Sequence, residues 1–286
     1  MKDVYQTITD HIINSVDEAG AWKPCWHGMT SGRPTNVVSD HAYQGVNILT
    51  CWVAQMIHDY PTQQWATYKQ WASIGGQVIK GSKGTPILFY SQLKSDNPDE
   101  DGRMFAKSSH VFNAAQVEGA MIPGADAPPR EPLETIANIE AWLEQMKQSA
   151  VIQHSDEGRA YYRPSTDSIM LPHFDKFIDA EHYYTVAFHE LTHWTGAKHR
   201  LDREFRREKT DYAKEELVAE LGAAFLAADF GIEAVTRDDH TTYIASWLKA
   251  LKNDKRLIVR AASLASKATE FLHYAVKETA SLREAA

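Results

Sequence analysis

The 286-residue sequence predicts an α+β protein of two domains, and three observations lead there. Prolines crowd into one stretch, with Pro123, Pro128, Pro129 and Pro132 lying between Gly119 and Pro132, where neither a helix nor a central strand can continue. Ahead of that seam, helical periods give way to strand-like runs. Behind it, no proline follows Pro172, so the chain is free to be mainly helical. The expected division is a first domain over residues 1–120, a linker over 121–132, and a second domain over 133–286.

Each element has its own reason. Val4, Ile8, Ile12 and Val16 recur at a helical period and predict a helix over 3–19. Residues 45–58 read as a second, more buried helix, and Thr67 to Ile74 as a third. Gln77–Lys80 and Pro86–Tyr90 flank a Gly81-Ser82-Lys83-Gly84 turn and read as strands, with His110–Asn113 returning as another. The second domain opens with a helix over 133–149, then a short hairpin from 160–164 and 168–172. Helices are expected over 178–195, 213–230, 239–252 and 254–279. The second domain is thus expected to be mainly helical with a small antiparallel sheet.

Composition narrows the function. Hydrophobic residues make up 43% and charged residues 24%, which excludes a disordered chain. Cys25 and Cys51 are the two cysteines, too few for a disulfide scaffold or a four-cysteine zinc site, and in keeping with a reducing compartment. No apolar run reaches about 18 residues and no signal-peptide pattern opens the sequence, so a cytoplasmic protein with no membrane partner is expected. A net charge of −8 argues against coating nucleic acid through bulk charge, so any such role must come from a local patch.

The strongest chemical signal is Phe188-His189-Glu190-Leu191-Thr192-His193-Trp194. Histidines four apart share one face of a helix, so both imidazoles reach a single ion. Glu190 sits beside them, placed to act as general base toward water activated at the metal. The expected cofactor is one Zn2+ per chain, and peptide-bond hydrolysis is the chemistry this arrangement serves. No oxyanion stabiliser stands out; Tyr212, Arg200 and Tyr243 are the candidates.

The third ligand has three candidates. His199 completes a His-Glu-x-x-His-x-x-Gly-x-x-His spacing through Gly196, but that pattern needs a methionine turn and no methionine follows Met170. The rival is the segment Tyr212–Leu226, where Glu216 and Glu220 lie four apart near small and apolar residues suited to close packing. A carboxylate among such neighbours is costly unless paired or metal-bound. Glu220 is favoured, with Glu216 as alternative ligand or supporting residue and His199 third. Glu215 reads as a solvated surface residue. The Ser168–Pro172 strand is expected at a sheet edge, where it could align an extended peptide.

In the first domain, Pro61 to Ser95 contains no Asp or Glu but holds Lys69, Lys80, Lys83 and Lys94 among Trp65, Tyr68, Trp71, Phe89 and Tyr90. Cations tracking phosphates and rings stacking on bases are what a single-strand binder needs. Lys69, Lys80, Lys83, Lys94, Trp65, Tyr68, Trp71 and Tyr90 are therefore the candidate DNA-binding residues, with burial in a core as the competing role for the tryptophans. The glycines near Lys83 do not form a P-loop, because a strand rather than a helix follows them.

With these residues in view, the chain resembles the ArdC-type antirestriction proteins of conjugative plasmids. In the first half the resemblance rests on Gly45-Val46-Asn47-Ile48-Leu49, Trp65–Gln70, Gly75–Pro86 and Val111-Phe112-Asn113. In the second half it rests on His189–Gly196, Arg200-Leu201-Asp202-Arg203 and Tyr212–Glu220. It implies a single-stranded-DNA-binding domain joined to a zincin-like metallopeptidase domain with a glutamate as third ligand. It also implies protection of incoming plasmid DNA from host restriction, with host restriction-system proteins as further partners. Similar N-terminal domains occur in plasmid primases.

Overall fold

The computed structural model describes residues 32–92, 104–120, 132–203, 209–234 and 256–284, together with positions 5, 6, 8–10, 13, 122 and 254. The expected helices over 3–19 and 239–252, and most of the expected linker, fall largely or wholly outside the described residues. The chain divides into two compact units, the first of residues 1–25 and 33–127 and the second of residues 26–32 and 128–286.

The first unit contains β1 (Thr35–Asn36), β2 (His41–Ala42), α1 (Val46–His58), β3 (Gln64–Thr67), α2 (Tyr68–Ser73), β4 (Gln77–Val78), β5 (Thr85–Gln92), β6 (Met104–Asn113) and β7 (Val117–Glu118). Five strands form a sheet in the order β2-β1-β3-β6-β5, while β4 and β7 pair separately. The strand β3 is not among the strands expected from the sequence. It alternates as a strand should, sending Trp65 into one core with Cys51, Ala54, Ile87 and Val111, and Ala66 into another with Trp71, Val78 and Ala114.

Several of the motif residues turn out to build this unit. Gly45 precedes α1 at φ 59 and ψ −139, a conformation only glycine takes readily. Two residues on, the Asn47 amide donates to the Leu88 carbonyl and accepts from the Leu88 N–H, both at 2.7 Å, satisfying the outer edge of β5. Thr67 and Gln70 form a reciprocal cap that starts α2, and Asn113 and Gln116 do the same at the turn after β6. The Gln116 amide also donates to the Lys83 carbonyl at 2.9 Å, tying down the glycine-rich turn.

The second unit contains α3 (Pro132–Met146), β8 (Val151–Ser155), β9 (Tyr161–Arg163), β10 (Ser168–Pro172), α4 (Ala180–Thr195), α5 (Lys209–Phe230) and α6 (Leu257–Glu284). The expected hairpin is β9–β10, but β8 joins β10 in parallel, so the sheet is mixed rather than wholly antiparallel. Strand order β8-β10-β9 puts Ser168–Pro172 at the centre of the sheet, which corrects the expectation of an edge; the edges are β8 and β9.

Helix α4 starts at Asp179, whose carboxylate accepts from the His182 N–H at 2.9 Å. Helix α5 is buried continuously from Glu215 to Ala228. A helix enclosed on all sides suits an alanine-rich sequence, yet this one carries Glu215, Glu216 and Glu220 inward. Gly222 sets how closely it meets α4: a Cβ there would lie 2.5 Å from both Oγ1 and Cγ2 of Thr192. Among the described residues, no helix is long and apolar enough to cross a membrane.

Candidate functional site

Three carboxylates on a buried helix need partners, and the neighbouring helix supplies them. His189 and His193, one turn apart on α4, bring their Nε2 atoms to 3.1 Å from each other. Glu216 faces both: Oε2 is 3.5 Å from His189 Nε2 and Oε1 is 3.4 Å from His193 Nε2. One donor atom from each of these residues falls within 4.8 Å of the other two. Glu190, 3% exposed, lies in the same turn.

The far nitrogens of the rings also meet carboxylates. Glu220 Oε2 lies 3.6 Å from His189 Nδ1, in ion-pair range but long for a hydrogen bond. Glu215 Oε1 lies 3.3 Å from His193 Nδ1 and takes a hydrogen bond from Arg203 as well. Glu220, expected to be the third ligand, thus faces the side of His189 away from His193, and Glu216 occupies the shared point. The expectation for Glu215 is corrected outright: it is 7% exposed and paired, because the chain after α4 folds Arg203 back against it. His199 is also away from the cluster, with a side chain 64% exposed and an Asp167 oxygen at 3.3 Å.

Electrostatics follow from this packing. Burial alone would lower both imidazole pKa values, but the carboxylates outweigh it. His189 is raised by Glu216 and Glu220, and His193 is pushed up to about 10 by Glu215 and Glu216. Burial works against ionisation of Glu216, yet the two histidines hold it well below the usual carboxylate range. Negative charge gathered at the rings favours positive charge on or between their nitrogens. Two imidazole nitrogens and a carboxylate oxygen, backed by carboxylates on the opposite nitrogens, form a donor set that fits a divalent ion.

Arg200 is committed elsewhere. Its guanidinium donates to Asp167, Tyr162 and the Trp194 carbonyl and lies 3.9 Å above the Trp194 ring. Tyr212 is 51% exposed on the first turns of α5, and Tyr243 lies outside the described residues.

In the first unit, Trp65 and Trp71 have no exposed surface. Their indole N–H groups donate to the Gln63 side chain at 3.2 Å and the Phe112 carbonyl at 3.0 Å. They are core residues, which corrects the expectation that they stack on bases. Tyr68 is different: it is 51% exposed, packed edge-on to Phe112, and its hydroxyl accepts from Gln77. Lys69, Lys80 and Lys83 are all exposed. Lys94 and the Tyr90 side chain lie outside the described residues. Lys107, which falls beyond the acid-free stretch, is exposed and sits opposite the exposed Phe89 on β5–β6.

The paired histidines, their glutamate and the helix-rich second unit define a zincin-like metallopeptidase domain, and residues 135–264 match the family of that description. Residues 2–117 match the N-terminal domain of the anti-restriction factor ArdC. The y4eC protein of Sinorhizobium fredii is 40% identical over 287 residues, covering 95% of this chain and 92% of that protein. Crystal structures of the antirestriction ArdC protein from the R388 plasmid, one metal-free and one Mn(II)-bound, match at a TM-score of 0.81 and 36% identity, over 96% of this chain and 98% of theirs. The DNA primase TraC of Escherichia coli is 34% identical over 300 residues, where this chain spans 27% of the primase. The chain belongs to the ArdC antirestriction family.

Proposed function

We propose that this chain is a cytoplasmic antirestriction factor that binds single-stranded DNA through its first unit and holds a divalent ion in its second, protecting incoming plasmid DNA from host restriction during conjugation. Convergence of the His189 and His193 Nε2 atoms on Glu216 carries the metal half of this reading. These three residues are the ligands in this proposal, with Glu220 turned to the far nitrogen of His189. The relative from R388 was crystallised with Mn(II); the imidazole and carboxylate donors also suit zinc, which such sites bind more tightly than manganese.

When bound, the ion would supply Lewis acidity toward a carbonyl and would make water more acidic near neutral pH. Glu190 is the general base, accepting a proton at its carboxylate and passing it to the leaving amine. Its burial keeps bulk water from that carboxylate. For DNA, exposed Tyr68 offers a stacking ring, while Lys69, Lys80 and Lys83 offer cations to phosphates. Anisotropy with labelled single- and double-stranded oligonucleotides at two salt concentrations tests this half. Loss of a salt-sensitive single-strand preference would reject it.

The low exposure of His189, Glu190 and Glu216 favours a second reading, in which the ion only ties α4 to α5 and the protein works as a DNA shield. Restriction protection by wild type and by Glu190→Gln separates the two. Equal protection supports the shield, and lost protection with metal retained supports the chemistry.

A further inference from the structure

The segment Arg200-Leu201-Asp202-Arg203 has no part in the reading above, yet it is built into the fold with unusual care. The chain leaves α4 at Gly196 and doubles back along it. Leu201, Asp202 and Arg203 donate backbone N–H groups to the carbonyls of Thr195, Ala197 and Gly196 at 3.0, 3.1 and 2.9 Å. Asp202 adopts the left-handed region at φ 49, which reverses the chain. The reversal drives Arg203 into the interior, where it is 7% exposed.

There the guanidinium bridges two helices. Toward α4 it donates to the Thr195 hydroxyl at 2.8 Å and the Thr192 carbonyl at 2.5 Å. Toward α5 it grips Glu215, with Nε 3.2 Å from Oε2 and a terminal nitrogen 2.9 Å from Oε1. That same Oε1 lies 3.3 Å from His193 Nδ1. Arg203, Glu215 and His193 thus form one continuous chain of contacts that ends at the candidate metal centre.

We propose that Arg203 is a positioning residue for the metal centre: it holds the Glu215 carboxylate against His193 Nδ1 and so keeps His193 Nε2 aimed at the point shared with His189 and Glu216. This rests on the metal-centre reading. A histidine that binds metal through one nitrogen is oriented by what accepts a hydrogen bond from the other, and loss of that acceptor typically weakens metal binding. A planar fork suits the task, since it spans a carboxylate and two acceptors on α4 together, which an ammonium cannot.

Two variants separate positioning from simple packing. Arg203→Met combined with Glu215→Leu replaces the buried pair by apolar side chains, a change that commonly preserves stability. Thr192 O keeps the hydrogen bond from the Thr195 hydroxyl. The double variant should melt close to wild type when metal-free yet bind zinc roughly 10- to 100-fold more weakly, with Arg203→Lys in between. In zinc-loaded wild type, proton–nitrogen correlation spectra should show a slowly exchanging proton on His193 Nδ1, absent in the double variant. Wild type that binds zinc while the double variant binds within about twofold overturns the inference alone. Absence of that Nδ1 proton in wild type overturns it even if the double variant fails to fold. Wild type that takes up no zinc overturns the metal-centre reading as well.

Discussion

Gly222→Ala is the most informative single substitution, because one methyl group tests how the two helices of the metal centre are spaced. The added Cβ would lie 2.5 Å from Oγ1 and Cγ2 of Thr192 and 3.1 Å from its Cβ. Carbon atoms rest about 3.5–4.0 Å apart, so the helices must separate locally by about 1 Å. Glu216 stands 3.4–3.5 Å from the two Nε2 atoms, and the same opening would carry it out of range of a shared ion. Overpacking costs roughly 1–3 kcal/mol, while alanine returns about 1 kcal/mol of helix propensity, so the net loss of stability is modest. Metal affinity should fall far more than stability does. Thr192→Ala removes the two closest contacts at the cost of its hydrogen bond to the Phe188 carbonyl, and the double variant should recover much of the lost affinity. Calorimetric titration with zinc, set beside thermal melts of metal-free protein, gives both quantities. If Gly222→Ala binds zinc like wild type, the glycine does not set the geometry of the site.

Other substitutions probe the remaining parts. Glu190→Gln should retain metal by elemental analysis while slowing any peptide hydrolysis by roughly 10²–10⁴-fold; metal loss would contradict its assignment as base. Tyr68→Ala should weaken single-strand binding by roughly 1–3 kcal/mol, read by anisotropy, and no change would remove it as a stacking residue. Replacing Lys69, Lys80 and Lys83 together by Gln should flatten the log–log salt dependence by about 2 if all three contact phosphates. Hydrogen bonds from Arg200 hold the Asp167 carboxyl at about 2, below its ordinary 3.8. A lowered carboxyl contributes stability above its unfolded value that is lost as pH falls through the folded one. Wild type should therefore exceed Asp167→Asn in stability at neutral pH, and the gap should close between about pH 4 and pH 2, as followed by urea melts.

What the sequence made legible was mostly local. The helical period alone put His189, Glu190 and His193 on one turn, and α1, α2, α4, α5 and the β9–β10 hairpin lie near their expected spans. What stayed hidden depends on distant partners. Glu216 and Glu220 share one face of α5, so their order at the site depends on the spacing and rotation of α5 against α4, which a helical period does not give. Glu215 reads as a surface charge until Arg203 is known to fold back onto it. The strand β8 has exposed Val151, Gln153 and His154, so its sequence gives no burial pattern; its parallel pairing with β10 is what defines it. Trp65 and Trp71 fit base stacking and core packing equally by composition, and only the neighbouring strands decide for the core. Within the resemblance motifs of the first unit, Asn47, Thr67, Gln70, Asn113 and the Lys83 carbonyl prove to be parts of caps, turns and edge bridges, so much of what makes these motifs specific is structural.

The central claim is that the two Nε2 atoms and Glu216 share one ion. A crystal of the full chain grown with zinc, with anomalous difference density collected at the metal edge, tests it directly. The expected result is a single peak about 2.0–2.2 Å from His189 Nε2, His193 Nε2 and a Glu216 oxygen, with Glu220 and Glu215 on the far nitrogens. Density ligated by Glu220 instead of Glu216, or no density beside the paired histidines, would contradict it.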